Sequence, residues 1–193
     1  MPRGSPNKTS ASSLVKRLNG RSSVDVYEAA KEIWKRGDPR TLRSVIRTLK
    51  RGQRALNRAA AAYALNLMHG RTAIAALETA VQNRQEHPKV RGQAAESLAI
   101  THRASSHRVL LRNLQDPSKE VRFWCAYSLA EMGDTDALAG LRKLAKEDRR
   151  IVKGFWSVSR EANWAIRTIR KAVRSKGRRK RCLFCTKAWS GSK

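Results

Sequence analysis

The sequence predicts an all-α fold, a solenoid of about four to five stacked helical hairpins. The first observation behind this prediction is an amphipathic pattern, because Val121, Cys125 and Leu129 recur at four-residue spacing and share one face of a helix. Gly133 is expected to end that helix, since a residue without a Cβ readily adopts the left-handed conformation. A second apolar series follows at once, so two helices are joined by a short turn. That series is Leu138, Leu141, Leu144 and Ala145.

The second observation is that this unit repeats along the chain. The run Lys89-Val90-Arg91 matches Glu120-Val121-Arg122 at an offset of 31 residues, and the Ala and Leu positions that follow also match. Weaker copies precede them at further offsets of 33 and 32 residues. Two helices in each period of this length are the signature of an α-solenoid.

The pattern resembles HEAT-like repeats, specifically the short variety of the phycobilisome lyase-like group. The residues that carry the resemblance are Asp-Pro-x-x-x-Val-Arg, followed by Ala, Leu and Gly-Asp, between Asp116 and Asp134, and the resemblance covers about residues 24–147. It implies a right-handed solenoid in which the second helix of each hairpin lines the concave face. It also implies that the arginine of the repeated Val-Arg position joins neighbouring repeats rather than a ligand. These arginines are Arg58, Arg91 and Arg122.

Composition divides the chain into three parts. Residues 1–20 are rich in Ser, Pro, Gly and Lys and are expected to form a flexible basic arm. Residues 21–176 are expected to form the repeat domain with a closing C-terminal helix, and residues 177–193 are expected to form a basic tail. Cys182 and Cys185 of the tail form a lone CxxC pair, which is only half of a structural zinc site. We therefore predict no metal and no other cofactor.

The same composition bears on location. Three cysteines, an odd number, favour a reducing compartment, and no apolar signal segment precedes the first repeat. We expect a cytoplasmic protein associated with a nucleoid or a ribonucleoprotein, or a nuclear one if the source is eukaryotic. A membrane partner is not expected.

Charge is the feature that bears most directly on function. Lys and Arg number 42 against 15 Asp and Glu, a formal net charge of +27. Such an excess indicates an anionic partner, and nucleic acid is the usual one. The sequence therefore predicts a non-enzymatic module that grips the phosphate backbone of DNA or of structured RNA. An adaptor that holds an acidic protein in its concave groove is the alternative.

Basic residues recur on the outward faces of the predicted helices. On the helix expected over residues 39–51 they lie opposite Leu42, Val45 and Leu49, and no acidic residue occurs between Asp38 and Glu78. A solvated face normally mixes both signs of charge, so this one is typical of a phosphate-facing stripe. The candidate nucleic-acid-binding residues are Arg40, Arg43, Arg47, Lys50, Arg51, Arg108, Arg112, Arg142, Lys146, Arg160, Trp164, Arg167, Lys171, Arg174, Arg178, Arg179, Lys180 and Arg181.

Two tryptophans near the last helix leave two interpretations open. In the first, Trp156 and Trp164 are exposed and either stack on a base or hold an arginine by a cation–π contact. In the second, both close the core. Trp164 is expected to be the more exposed of the two.

Catalysis would need an acid–base pair, a nucleophile or a metal, and no such constellation is evident, so no catalytic residue is predicted. Two enzyme families do use HEAT-like repeats. Glu161 is the one residue similar to the carboxylate of the HEAT-like alkylpurine DNA glycosylases, which makes that activity a lesser alternative. The bilin lyases share the repeat type, but the charge of this chain does not suggest them.

Overall fold

The computed structural model describes residues 9–68 and 70–188, with side chains up to residue 175. Ten α-helices and two short 3-10 helices make up this part of the chain, and its only β pairing is an isolated bridge between Ile151 and Ser157. The α-helices are α1 (Ala11–Leu18), α2 (Ser23–Arg36), α3 (Leu42–Arg51), α4 (Ala55–Ala64), α5 (Arg71–Gln82), α6 (Pro88–Ser97), α7 (Ala104–Asn113), α8 (Lys119–Met132), α9 (Leu138–Glu147) and α10 (Val158–Ala188). The predicted all-α solenoid is confirmed.

The helices form two layers. The even-numbered helices pack on one another in chain order and form layer A, whereas each odd-numbered helix packs behind the even helix that follows it and belongs to layer B. Successive A helices approach one another more closely than successive B helices do. Small buried side chains such as Ala94, Ala95 and Ala126 permit this approach.

Arginines at equivalent positions join each repeat to the next. Each guanidinium reaches from the start of an A helix to a carboxylate on the loop that precedes the next A helix. The pairs are Arg58–Glu86, Arg91–Asp116 and Arg122–Asp148. Both members of the last two pairs are buried. The structural role predicted for these arginines is therefore confirmed.

Both ends of the solenoid contain more helix than the sequence led us to expect. Helix α1 lies inside the segment expected to be a flexible arm, and its Leu14 and Leu18 are fully buried. Ser10 caps this helix by accepting a hydrogen bond from the Ser13 amide. At the other end α10 continues to Ala188, through the segment expected to be a separate tail. Residues 1–8 and the side chains of Cys182 and Cys185 lie outside the described part.

The connection between α9 and α10 differs from the other loops. It has ten residues (148–157), whereas the loop between α7 and α8 has five (114–118). Gly154 turns it with a φ of 85°, a conformation that favours glycine. The loop therefore carries Phe155 and Trp156 back over layer A before α10 begins.

Among the described residues, no helix combines the length and the apolar character that crossing a membrane requires.

Candidate functional site

A groove crosses the surface of layer A from α2 to the loop before α10. It has a volume of about 520 Å³, and α2, α4, α6 and α8 all contribute to its lining. Its apolar side chains include Tyr27, Leu56, Trp124 and Phe155. We refer to it as the A-face groove.

Trp124 lines the A-face groove close to Phe155, and Gly92 leaves room for its ring. A Cβ placed on Gly92 would lie only 2.8 Å from Trp124 Cδ1, so a larger residue on α6 would push the indole away. The Trp124 ring meets Phe155 and Tyr127 edge-to-face, with ring centroids 5.1 and 5.7 Å apart. Such contacts add to the stabilisation that burial gives and hold the groove floor in one arrangement.

The rings beside the groove form one continuous aromatic cluster. Tyr127 of α8 stacks on Trp164 of α10, with centroids 5.7 Å apart and an interplanar angle of 9°. Phe123 is almost fully buried beneath Trp124, Phe155 and Trp156. The cluster therefore fixes α8, α10 and the loop between them against one another.

Trp156 is held by two polar neighbours. Its indole N–H donates to Glu161 Oε2 at 2.7 Å, and the Arg160 guanidinium lies 5.0 Å above its ring. The cation–π interpretation is thus correct for this tryptophan. Trp156 is 40% exposed whereas Trp164 is half-buried, so the expectation that Trp164 would be the more exposed is wrong. The reason is that α10 begins only at Val158, which leaves Trp156 on the loop.

Three carboxylates surround Tyr127. Burial raises the pKa of its phenol, and the charges of Glu131, Glu96 and Glu161 raise it further. Burial likewise raises the pKa of Glu161, helped by the charge of Glu131 and opposed by the hydrogen bond from Trp156. Burial also raises the pKa of Glu96, which accepts a hydrogen bond from Gln93. The Glu161 and Glu96 carboxyls are therefore protonated more readily than solvated ones.

A protein metal site needs several His, Cys, Asp or Glu side chains close together. Within the described residues, no three or more His, Cys, Asp or Glu side chains come together in a suitable arrangement. The side chain of Cys125 is fully buried on α8.

The basic residues predicted to bind nucleic acid lie away from the groove. Arg43, Arg47, Lys50 and Arg51 are exposed on α3, and the other candidates on layer B are exposed on α7 and α9. Those on α7 and α9 are Arg108, Arg112, Arg142 and Lys146. Exposed Arg40 pairs with Asp38 at 2.8 Å. The layer-B candidates therefore lie on a different layer from the groove.

The remaining candidates belong to α10. Arg167, Lys171 and Arg174 line a separate hollow of about 540 Å³ together with Arg170. The side chains of Arg178, Arg179, Lys180 and Arg181 lie outside the described residues.

Reasoning from the sequence did not identify the A-face groove. A usable signal was present, since Trp124 and Tyr127 lie three residues apart on the side of their helix that does not carry Val121 and Leu129. Large rings on the outward side of a repeat helix indicate a surface with a role beyond the core.

Comparison with known proteins first concerns the fold. A family model of HEAT repeats matches residues 82–154. The solved structure of the CpcE–CpcF complex of phycocyanin lyase from Nostoc sp. PCC7120 superposes with a TM-score of 0.62 at 18% identity, over 88% of this chain and 68% of that one. The chain is a HEAT-like repeat protein.

A second group of relatives consists of proteins named deoxyhypusine hydroxylase. Deoxyhypusine hydroxylase from Arabidopsis thaliana is 39% identical over 75 residues, which are 38% of this chain and 24% of that protein. The structure of human deoxyhypusine hydroxylase in complex with glycerol gives a TM-score of 0.55 at 23% identity, over 68% of this chain and 50% of that one. This HEAT-like chain thus spans about a quarter of the curated relative and half of the human structure.

These relatives contradict the function predicted from charge. They are enzymes by name, and neither name refers to nucleic acid, so the prediction of a non-enzymatic nucleic-acid-binding module is wrong. The lining of the groove is consistent with this correction. It contains Lys89 and Lys153 but also Glu96 and Glu120, so it has no excess of positive charge for a phosphate backbone. The adaptor and glycosylase alternatives gain no support from these relatives.

Proposed function

We propose that this chain is the protein-recognition part of an enzyme, and that the A-face groove holds a segment of a partner protein. The observation that carries the proposal is a set of partly uncovered apolar side chains in one groove, contributed by α2, α4, α8 and the loop before α10. Tyr27 is 47% exposed and Phe155 is 48% exposed, and Leu56 and Trp124 are half-buried. Contiguous apolar surface of this kind usually marks an interaction site.

The dimensions of the groove suit an extended peptide. Packed helices lie about 8–10 Å apart, so the groove from α2 to α8 spans roughly 24–30 Å. A strand-like segment rises about 3.3 Å per residue, and roughly eight residues would cover that distance. Half-buried Gln93 and Glu96 on the groove lining can hydrogen-bond the main chain of such a segment.

The names of the relatives support a protein partner and an enzymatic setting. The Nostoc structure is a complex of two proteins that together are called a phycocyanin lyase. The other relatives are named for a hydroxylation reaction. We therefore propose that the protein bound in the groove is the one that the enzyme modifies.

Selection from a displayed library of random peptides tests the binding site. We would use peptides of about 12 residues, longer than the roughly eight that the groove would seat, and measure their affinities for the full chain. Tyr27→Glu should weaken the selected peptides about tenfold or more, because it places a charge in an apolar contact. Val24→Glu is the matched control, since Val24 is also an exposed apolar residue of α2 but does not line the groove.

Two results would count against the groove. One is a set of selected peptides that respond equally to the two substitutions, and the other is a failure to select any peptide with measurable affinity. Far-UV circular dichroism of both variants checks that the helices are intact, as expected for substitutions at exposed positions.

A second experiment tests the enzymatic setting. A photo-reactive residue at position 155 would link the groove to its partner in cells of the source organism. The intact mass of that partner would then be compared between cells with and without this chain. We expect a mass difference at one residue of the partner, whereas identical masses would remove the enzymatic part of the proposal and leave the binding.

A further inference from the structure

A second surface lies where α10 leaves the hydrophobic core. Ile169 is fully buried, but Val173, one turn later, is 49% exposed. The helix nevertheless continues to Ala188, which extends it by roughly 28 Å beyond Ile169 at about 1.5 Å per residue. The solenoid thus presents a stretch of helix on which Val173 is about half exposed.

Cations occupy the same turns of α10 as this apolar residue. Arg167, Arg170, Lys171 and Arg174 are all exposed and line one hollow of about 540 Å³. None of the four forms an ion pair with the described residues. No acidic residue follows Glu161 in the sequence, so α10 cannot neutralise these cations from its own later turns.

Some other arginines of the chain have carboxylate partners. Seven of them form ion pairs within the described residues, and these are Arg17, Arg36, Arg40, Arg58, Arg91, Arg122 and Arg150. No described carboxylate pairs with the α10 cations, so an anionic partner for them would come from another molecule. Positions 167, 170 and 174 follow the three- and four-residue spacing that places side chains on one face of a helix, so the cations form a stripe rather than a scatter.

We infer that this face of α10 binds an acidic amphipathic segment of a partner protein. Carboxylates spaced along the segment pair with Arg167, Arg170 and Arg174, and an apolar side chain of the segment covers Val173. Single exposed ion pairs contribute little, so binding depends on several pairs formed together with the burial of Val173. This α10 surface shares no lining residue with the A-face groove, and the inference does not rest on the proposed function.

A synthetic helical peptide with Glu at every third or fourth position and Leu between them is the probe. Its affinity for the full chain is measured by fluorescence anisotropy at physiological salt, where exposed charges farther apart than about 8 Å are largely screened. A second peptide with Gln in place of Glu should bind about tenfold more weakly or worse, because it removes the charge pairing. Equal affinity for the two peptides would overturn the inference.

Charge reversal locates the surface. The triple change Arg167→Glu, Arg170→Glu and Arg174→Glu should weaken the acidic peptide about tenfold or more. The triple change Arg43→Glu, Arg47→Glu and Lys50→Glu on α3 is the matched control, since it alters the net charge by the same amount on another exposed helix face. Equal losses in the two variants would mean that only the bulk charge of the protein matters, and would overturn the inference.

Two further measurements test the apolar contact and the class of the partner. Val173→Asp should weaken binding although no cation is lost, whereas an unchanged affinity would contradict the apolar part of the contact. A structured RNA and a DNA duplex serve as competitors, and tighter binding of either at the same three arginines would reassign the surface and overturn the inference. Tyr27→Glu, a groove variant, should leave the acidic peptide bound, which keeps the outcome independent of the proposed function.

Discussion

Arg91 and Asp116 form a buried ion pair that joins α6 to the loop between α7 and α8. Arg91 is 3% exposed and Asp116 is 1% exposed. Arg91 Nη1 donates to Asp116 Oδ1 at 3.1 Å, and Nη2 donates to the other carboxylate oxygen. Arg91 Nε also donates to the Val81 carbonyl at 3.0 Å. One guanidinium therefore links α5, α6 and the loop that leads to α8.

Arg91→Met should destabilise the protein by about 3–5 kcal/mol, because it leaves the Asp116 carboxylate buried without a counter-ion. Thermal and denaturant unfolding measure the loss. Arg58→Met is the control at the equivalent position one repeat earlier, where the Arg58 and Glu86 side chains are 19% and 11% exposed. Because solvent can reach that pair, Arg58→Met should lower the free energy of unfolding by less than Arg91→Met does. A larger loss for Arg58→Met than for Arg91→Met would refute this account.

Gly92→Ala should displace Trp124 from the groove, because the new Cβ would lie 2.8 Å from the indole Cδ1. Overpacking of this kind typically costs about 1–3 kcal/mol. We expect a lower melting temperature, a changed tryptophan emission spectrum and weaker binding of groove peptides. Gly70→Ala is the control, since nothing lies within 4 Å of a Cβ at that position. Identical behaviour of the two variants would show that Trp124 does not depend on Gly92.

Glu161→Gln should stabilise the protein more at neutral pH than at pH 4. The raised pKa of Glu161, caused mainly by burial, means that the folded state favours the protonated carboxyl. The stability that this carboxyl contributes is present below its unfolded-state pKa and is lost as the pH rises through the folded-state pKa. Glutamine keeps an acceptor for the Trp156 N–H and removes the charge.

The measurement is the difference in melting temperature between variant and parent at the two pH values. Glu147→Gln, at an exposed carboxylate of α9, controls for the loss of one negative charge. If Glu161→Gln raised the melting temperature more at pH 4 than at neutral pH, the raised pKa of Glu161 would be contradicted.

Cys125 should be unreactive in the folded protein. Burial, and to a smaller extent the charge of Asp116, raise the pKa of its thiol, and only the thiolate attacks a disulfide reagent. In a variant with Cys182→Ser and Cys185→Ser, we expect no labelling by an aromatic disulfide until denaturant is added. Rapid labelling under native conditions would show that α8 opens readily or that Cys125 is accessible.

Much of the fold could be predicted because its determinants are local. The spacing of Val121, Cys125 and Leu129 defines a helix face within nine residues, and Gly133 ends α8 in the left-handed conformation at a φ of 67°. The role of Arg91 in joining two repeats followed from the resemblance to HEAT-like repeats, whereas its pairing with Asp116 came from the structure. Helix α1 was harder to predict, since only two leucines, Leu14 and Leu18, bury its short apolar face and α2 must be in place to cover them.

The candidate site was not predictable in the same way. Tyr27 and Phe155 are far apart in sequence, and they line one groove only because the A helices pack in order. The start of α10 at Val158 leaves Trp156 on the preceding loop, where it is more exposed than Trp164, and the sequence did not reveal that start. Charge misled the functional prediction, because composition counts every arginine and does not reveal which ones are paired.

The sequence by itself determined that the chain folds into stacked helical hairpins, that arginines join the repeats and that the outer faces are strongly basic. These properties arise from side chains three or four residues apart and from overall composition. Only the tertiary structure decided which face carries the aromatic groove, which tryptophan meets solvent and which cations remain unpaired on α10. Each of these depends on contacts between elements distant in sequence, and such contacts exist only once the two layers have packed.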